Sequence, residues 1–240
     1  MEGLRATGVA RAFEGVAALQ GVDLEVRRHE LVGLIGPNGA GKTTLVNCMT
    51  GFDLPDSGAV ALDEREITRW PVARRARAGL ARTFQHGHLF KGLTVRENVE
   101  VAALGVGRSA RAARRRAREL LGLLDLQARV EQEAGLLPHG EEMKLGVARA
   151  LATEPRYVLM DEPAAGLSDT EVPAFADVLR SVRDEHGAGV LVIDHNMALI
   201  MGVCDRVYVL DEGKVIAQGP PDAVRRDVQV AAAYLGAARG

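Results

Sequence analysis

Short apolar runs broken by glycine and turn residues fill the first sixty positions, at 9–13, 17–26 and 59–62. Their length and punctuation predict antiparallel strands rather than long helices. Within that stretch lies Leu31-Val32-Gly33-Leu34-Ile35, apolar throughout and ending at a glycine-rich turn, the form expected of a parallel strand buried on both faces. Runs at 157–160, 190–193 and 207–210 repeat the form, each closed by an acidic or polar residue, with helical patterns between them. Parallel strands crossed over by helices predict an α/β core. From about Leu93 to Ala150 the strand pattern vanishes, and residues 108–124 are rich in Ala, Arg and Leu. Those are strong helix formers, so this stretch reads as an inserted helical lobe.

Composition narrows the function classes. The 240 residues suit one domain, or one domain carrying a lobe, and 47% hydrophobic with 26% charged residues is ordinary globular usage. Thirty basic against 32 acidic residues leave a net charge of −2, no global field for nucleic acid. The cluster Arg111, Arg114, Arg115, Arg116 and Arg118 covers most of a helix and runs straight into Leu120 and Leu121, so it reads as a solvated helix face. No apolar run reaches the roughly 18 residues of a membrane span. The sequence opens Met1-Glu2-Gly3-Leu4-Arg5, without the apolar core of a signal peptide, and its only cysteines are Cys48 and Cys204. A cytoplasmic chain is expected.

The chemistry begins after the buried strand. Gly36-Pro37-Asn38-Gly39-Ala40-Gly41-Lys42-Thr43, followed by Thr44, fits G-x-x-x-x-G-K-[ST] at every fixed position. Glycines let the backbone curl so that its N–H groups face phosphate oxygens, and the following helix adds its positive end. In that pattern Lys42 reaches the β- and γ-phosphates and the Thr43 hydroxyl ligates Mg²⁺. Residues 157–162 form an apolar strand ending in Asp161-Glu162. Asp161 is placed to hold the Mg²⁺, and Glu162 to take a proton from an attacking water. Nucleoside-triphosphate binding is the predicted chemistry.

With these motifs, Leu137-Pro138-His139-Gly140-Glu141 upstream and Asp194-His195 after a later strand, the chain resembles the ATPase subunits of ABC transporters over nearly its whole length. The resemblance implies a P-loop NTPase core with a mainly parallel sheet, an N-terminal antiparallel β subdomain and an inserted helical subdomain. The core and β subdomain would take about 1–92 and 151–240 of a single domain, 1–240, and the helical subdomain about 93–150. It makes Phe13 the aromatic that stacks on adenine and Gln85 the glutamine that contacts Mg²⁺ and the attacking water where the membrane subunit docks. His195 becomes the γ-phosphate switch residue, and Gly166, Leu167 and Ser168 a loop touching the other subunit.

The sequence departs from the family pattern in places. The signature loop, usually Leu-Ser-Gly-Gly-Gln, closes over ATP on the opposite subunit. Here Pro138 lacks both a hydroxyl and an N–H donor, which implies a weaker ATP-bound dimer, while Gly140 and a helix start after Glu141 still offer N–H groups. Ser168 stands where Asp is common, and His29 where the family tends to have Gly. Other features look like the subfamily serving branched-chain amino-acid importers: Pro138 itself, Phe84-Gln85-His86 with Leu89-Phe90, the run from Leu93 to Val99, Glu162-Pro163-Ala164-Ala165-Gly166-Leu167, and Ala233-Tyr234-Leu235-Gly236.

The resemblance therefore implies an ATP- and Mg²⁺-dependent ATPase at the cytoplasmic face of the inner membrane. It would be peripheral, partnered by membrane permease subunits and by a second copy or a paralogue packed head to tail. Three other readings stay open. A nucleotide kinase or GTPase is one, although no Asn-Lys-x-Asp motif is present. An ABC system for another solute or lipid is the second, and a non-transport module or binding-only regulator the third.

Overall fold

The computed structural model describes residues 2–83 and 89–236. Strands β1 (Leu4–Phe13) and β2 (Val16–Val26) form a hairpin whose two turn residues, Glu14 and Gly15, both have positive φ. That turn matches the right-handed twist of the strands it joins. β1 starts earlier than the pattern predicts because Gly8, at φ 59°, is absorbed as a register shift between Ala6 and Val9 rather than ending the strand. Next come β3 (Leu31–Ile35), α1 (Lys42–Thr50), β4 (Ser57–Leu62), β5 (Arg65–Glu66), α2 (Val72–Arg77) and β6 (Leu80–Arg82). His29, in the β2–β3 turn, adopts φ 57°, a conformation that glycine takes more readily.

Three helices follow: α3 (Val95–Gly105), α4 (Ala110–Leu123) and α5 (His139–Ala152). Thr94 opens α3 with a capping box, accepting from the Glu97 N–H while Glu97 accepts from the Thr94 N–H. α4 buries Ala113, Ala117, Leu120 and Leu121 and leaves Arg111, Arg114, Arg115 and Arg118 exposed. The chain closes with β7 (Tyr157–Asp161), α6 (Val172–Asp184), β8 (Gly189–Ile193), α7 (Met197–Val203), β9 (Arg206–Asp211), β10 (Lys214–Gly219), α8 (Pro221–Arg225) and α9 (Val228–Gly236).

Two sheets result. One is antiparallel, ordered β2-β1-β4-β5, and the other has six strands ordered β10-β9-β3-β8-β7-β6, parallel except for β10. The central strands are apolar up to their C-terminal ends because both faces are covered. Leu31 and Ile35 of β3, Val158 and Met160 of β7, and Val190 and Val192 of β8 pack into the core shared with the helices. Their alternates, Val32, Leu34, Leu159, Leu191 and Ile193, pack with α1 and the antiparallel sheet. A strand with two dry faces cannot alternate in polarity.

Arg75 anchors the far end of α1. It is 1% exposed and donates to four backbone carbonyls: Cys48 and Met49 at 2.8 and 2.7 Å, Thr68 at 2.7 Å and Trp70 at 3.0 Å. The first two belong to the last turn of α1, where carbonyls lack intrahelical partners and the helix dipole is negative. Burial pulls the guanidinium down to about 10. Arg75→Ala strips these carbonyls of their donor in a dry site. A loss of about 3 kcal/mol in urea-unfolding stability is expected, since the two fully buried acceptors, the Cys48 and Met49 carbonyls, cost roughly 1–3 kcal/mol each when abandoned and the part-buried pair can turn to water.

Candidate nucleotide and hydrolysis site

Residues 36–43 leave the end of β3 and turn directly into α1. Gly36 has φ 150°, and a methyl there would lie 1.9 Å from the Leu210 carbonyl oxygen of β9. Gly41, at φ 102°, would bring a methyl to 2.4 Å from the Ala18 carbonyl oxygen of β2. Glycine is therefore required at both ends of the curl, where neighbouring backbone presses on it. No side chain caps α1, so its first N–H groups remain available at the positive end of the helix. The Lys42 ammonium folds back over the loop and donates to the Gly36 and Pro37 carbonyls, each at 2.8 Å. Burial lowers its pKa, and the nearby Glu162 and Asp161 carboxylates oppose that shift. A cavity of about 220 Å³ opens here, walled by residues 38–44 (including Asn38, Gly39, Ala40, Thr43 and Thr44), by Ala18 and Ile193, and by Glu162.

The other residues arrive on neighbouring strands. Asp161 ends β7 and is buried, its Oδ2 accepting from Arg82 Nη2 at 3.1 Å. Burial raises its pKa, and the Arg82 guanidinium pulls the other way. Glu162 turns away with φ 50°, a left-handed conformation costing a non-glycine residue about 1–2 kcal/mol, and its N–H donates to the Ile193 carbonyl at 2.7 Å. That turn aims Glu162 Oε1 at His195 Nε2, 2.9 Å away. Buried Asp194 fixes the backbone on both sides by accepting from the Asn196 N–H at 2.8 Å and the Ala164 N–H at 3.0 Å. The His195 side chain is 61% exposed and meets the cavity only through Glu162, being itself outside the lining.

The remaining expectations divide. Phe13 is 42% exposed at the end of β1, outside the core, with the Arg11 guanidinium 4.7 Å from its ring centre. It does not line the P-loop cavity. Residues 137–141 do not line it either. Leu137 is buried, and Pro138 occupies the N-cap of α5 with φ −59° and ψ 152°. The helix thus begins at His139, taking in Gly140 and Glu141, rather than after Glu141, because extended Pro138 is already set for a helix entry. The His139 ring packs on Gly166, where a methyl would lie 2.2 Å from His139 Cδ2, and Glu141 bonds Arg129 at 3.1 Å. Gln85 lies outside the described residues. Arg82 escaped the sequence reading, and Asp194, named there only in the motif with His195, was given no role of its own. Arg82 meets its partner across 79 positions, and nothing in a local pattern signals that pairing.

A phosphate-cradling loop, an uncapped helix start, and a buried carboxylate beside a histidine-paired glutamate define a P-loop nucleoside-triphosphate enzyme. The comparisons agree and narrow it. A sequence profile of the ABC transporter family matches residues 19–165, and one described as a branched-chain amino acid ATP-binding cassette transporter matches 214–239. The chain is 38% identical to the high-affinity branched-chain amino acid transport ATP-binding protein LivG of Escherichia coli K12, over 98% of each chain. BraF of Pseudomonas aeruginosa, described in the same words, is 38% identical over 98% of each. LptB of Acidithiobacillus ferridurans, a lipopolysaccharide export system ATP-binding protein, is 36% identical over 97% of this chain and 96% of its own. Among solved structures, an ATP-binding cassette of an ABC transporter in its ADP conformation superposes with a TM-score of 0.87 at 30% identity, covering 98% and 99% of the two chains. A dimeric cassette in a post-hydrolysis state with ADP and Pi gives 0.82 at 25% identity, over 91% of this chain and 98% of that one. The chain belongs to the ABC transporter family and is one of its ATPase cassettes.

Gly36→Ala tests the cradle. The added methyl collides with the backbone of β9 and forces the loop open, so affinity for a fluorescent ADP analogue is expected to fall more than tenfold.

Proposed function

We propose that the chain hydrolyses ATP to drive import of branched-chain or related hydrophobic amino acids through separate membrane permease subunits at the inner face of the cell membrane. The observation that carries the hydrolytic part is the placement of Glu162 at the P-loop cavity, 2.9 Å from His195. Loop N–H groups and Lys42 stabilise charge on the transferring phosphoryl group. Glu162 accepts the proton of the attacking water, with His195 orienting it and Gln85 supporting the same water. Phe13 supplies an exposed aromatic face for adenine.

The donor set suits a magnesium ion. Mg²⁺ takes few protein oxygens and fills its octahedron with water and phosphate. The Thr43 hydroxyl and one Asp161 carboxylate are such a set, and no cluster of three or more His, Cys, Asp or Glu ligands occurs among the described residues. Thr43 and Asp161, with Gln85, would hold the ion, which when bound neutralises charge on the β- and γ-phosphates.

Two copies complete each other's sites. Residues 137–141 lie outside their own chain's cavity, so they serve the partner's ATP through the N–H groups of the first turn of α5. Residues 93–150, with α3, α4 and α5, act as the lobe that carries this loop. A groove of about 240 Å³ lined by Phe52, Val72, Leu80, Thr83, Ala102 and Arg149 receives the permease. No helix among the described residues is long and apolar enough to cross a membrane, so the membrane path belongs to that partner. The C-terminal match at 214–239 favours amino-acid import over lipopolysaccharide export.

Glu162→Gln is expected to bind ATP with wild-type affinity and lose at least a hundredfold in turnover. Wild-type turnover would remove Glu162 as the base. Co-purified with its permease, the complex is expected to show ATPase activity stimulated by solute-loaded binding protein carrying leucine, isoleucine or valine. Stimulation by a lipid alone would reassign the solute.

A further inference from the structure

Arg82 ends β6 beside β7, pointing toward the carboxylate at the end of that strand. Its Nη2 donates to Asp161 Oδ2 at 3.1 Å, and both side chains are only 9% exposed. The other arm, Nη1, donates to Asn47 Oδ1 at 2.6 Å. Asn47 lies on α1, the helix that starts at Lys42 and Thr43, and its Nδ2 donates in turn to Asp53 at 2.9 Å. The guanidinium thus joins the strand carrying Asp161 to the helix carrying Thr43. It also lines the groove and lies 5.4 Å from the Phe52 ring centre.

We propose that Arg82 is a positioning residue for the metal site, holding the Asp161 carboxylate in fixed register with the P-loop helix. The inference rests on reading Asp161 as a metal ligand. A carboxylate at the end of a strand has free torsions, and burial alone does not choose its direction. The planar fork of arginine fixes it by bonding two acceptors at once, Asp161 on one side and Asn47 on the other. A lysine would keep the charge and lose the fork. Partners that hold a metal ligand typically contribute 10–100-fold to metal affinity. A residue needed only for folding would weaken nucleotide binding with or without metal, whereas a positioning residue acts on the metal alone.

Two titrations separate these roles: Mn²⁺ binding in the presence of ADP, read by electron paramagnetic resonance, and ADP binding in EDTA, read by calorimetry. Arg82→Met is expected to weaken Mn²⁺ binding about 10–100-fold while leaving metal-free ADP affinity within about twofold. Arg82→Lys should recover part of that loss, and Asn47→Ala should reproduce a smaller one of about threefold to tenfold. If Arg82→Met does not fold, the last two variants decide on the same titrations. Wild-type Mn²⁺ affinity in Arg82→Met, or parallel loss of metal-free ADP binding, overturns the proposal. Asp161→Asn is the control: if it too keeps wild-type Mn²⁺ affinity, the reading of Asp161 fails, and if it alone loses Mn²⁺, only the role of Arg82 fails.

Discussion

The parallel register of β3, β8 and β7 is the constraint on which the site depends. Leu34 pairs with Ile193 across β3 and β8, and Asp161 pairs with Ile193 across β7 and β8. Parallel strands end at the same edge, so the loop from 36, the carboxylate pair at 161–162 and the Asp194-His195 turn emerge side by side. The Glu162 N–H bond to Ile193 continues that register one residue past the strand. A slip of one residue would invert the faces of β7 and bury Glu162 instead of Asp161. The Arg82–Asp161 pair and the Glu162 N–H bond to Ile193 form only in the native register, and so oppose such a slip.

Around that edge the stabilising contacts are long-range and polar. Arg75 fixes the far end of the P-loop helix, Arg82 its middle, and Asp194 ties the segment after Glu162 to the turn bearing His195. Each satisfies groups whose burial would otherwise be costly. The loop at 137–141 is held separately by Arg129 and by the packing of His139 on Gly166. It is thereby tied both to α5 and to the segment that follows Glu162.

The parallel core was legible because strands dry on both faces leave an unbroken apolar run, and the P-loop because its chemistry is local. Both ends of that loop need glycine for reasons set by distant backbone, the Leu210 and Ala18 carbonyls, yet the spacing alone marks them. The start of β1 was not legible, since Gly8 interrupts the pattern and only pairing with two neighbours carries the strand through it. Arg75 and Arg82 were invisible for a related reason. An arginine reads as solvated, whatever its neighbours, until the fold brings carbonyls or a carboxylate to it from 26 or 79 positions away. Pro138 carried a local signal that was read for what it removes, a donor and a hydroxyl. Its fixed φ also starts α5 a turn early, bringing the first N–H groups of that helix up to His139.

Sharing of each active site between two chains is the central claim, and the molar mass of Glu162→Gln by light scattering with Mg²⁺ and either ATP or ADP tests it most directly. A dimer with ATP and a monomer with ADP is the expected result, with Pro138 and His139 closing on the partner's phosphate. A monomer in both, with ATP demonstrably bound, would contradict a site completed by a second copy of this chain alone.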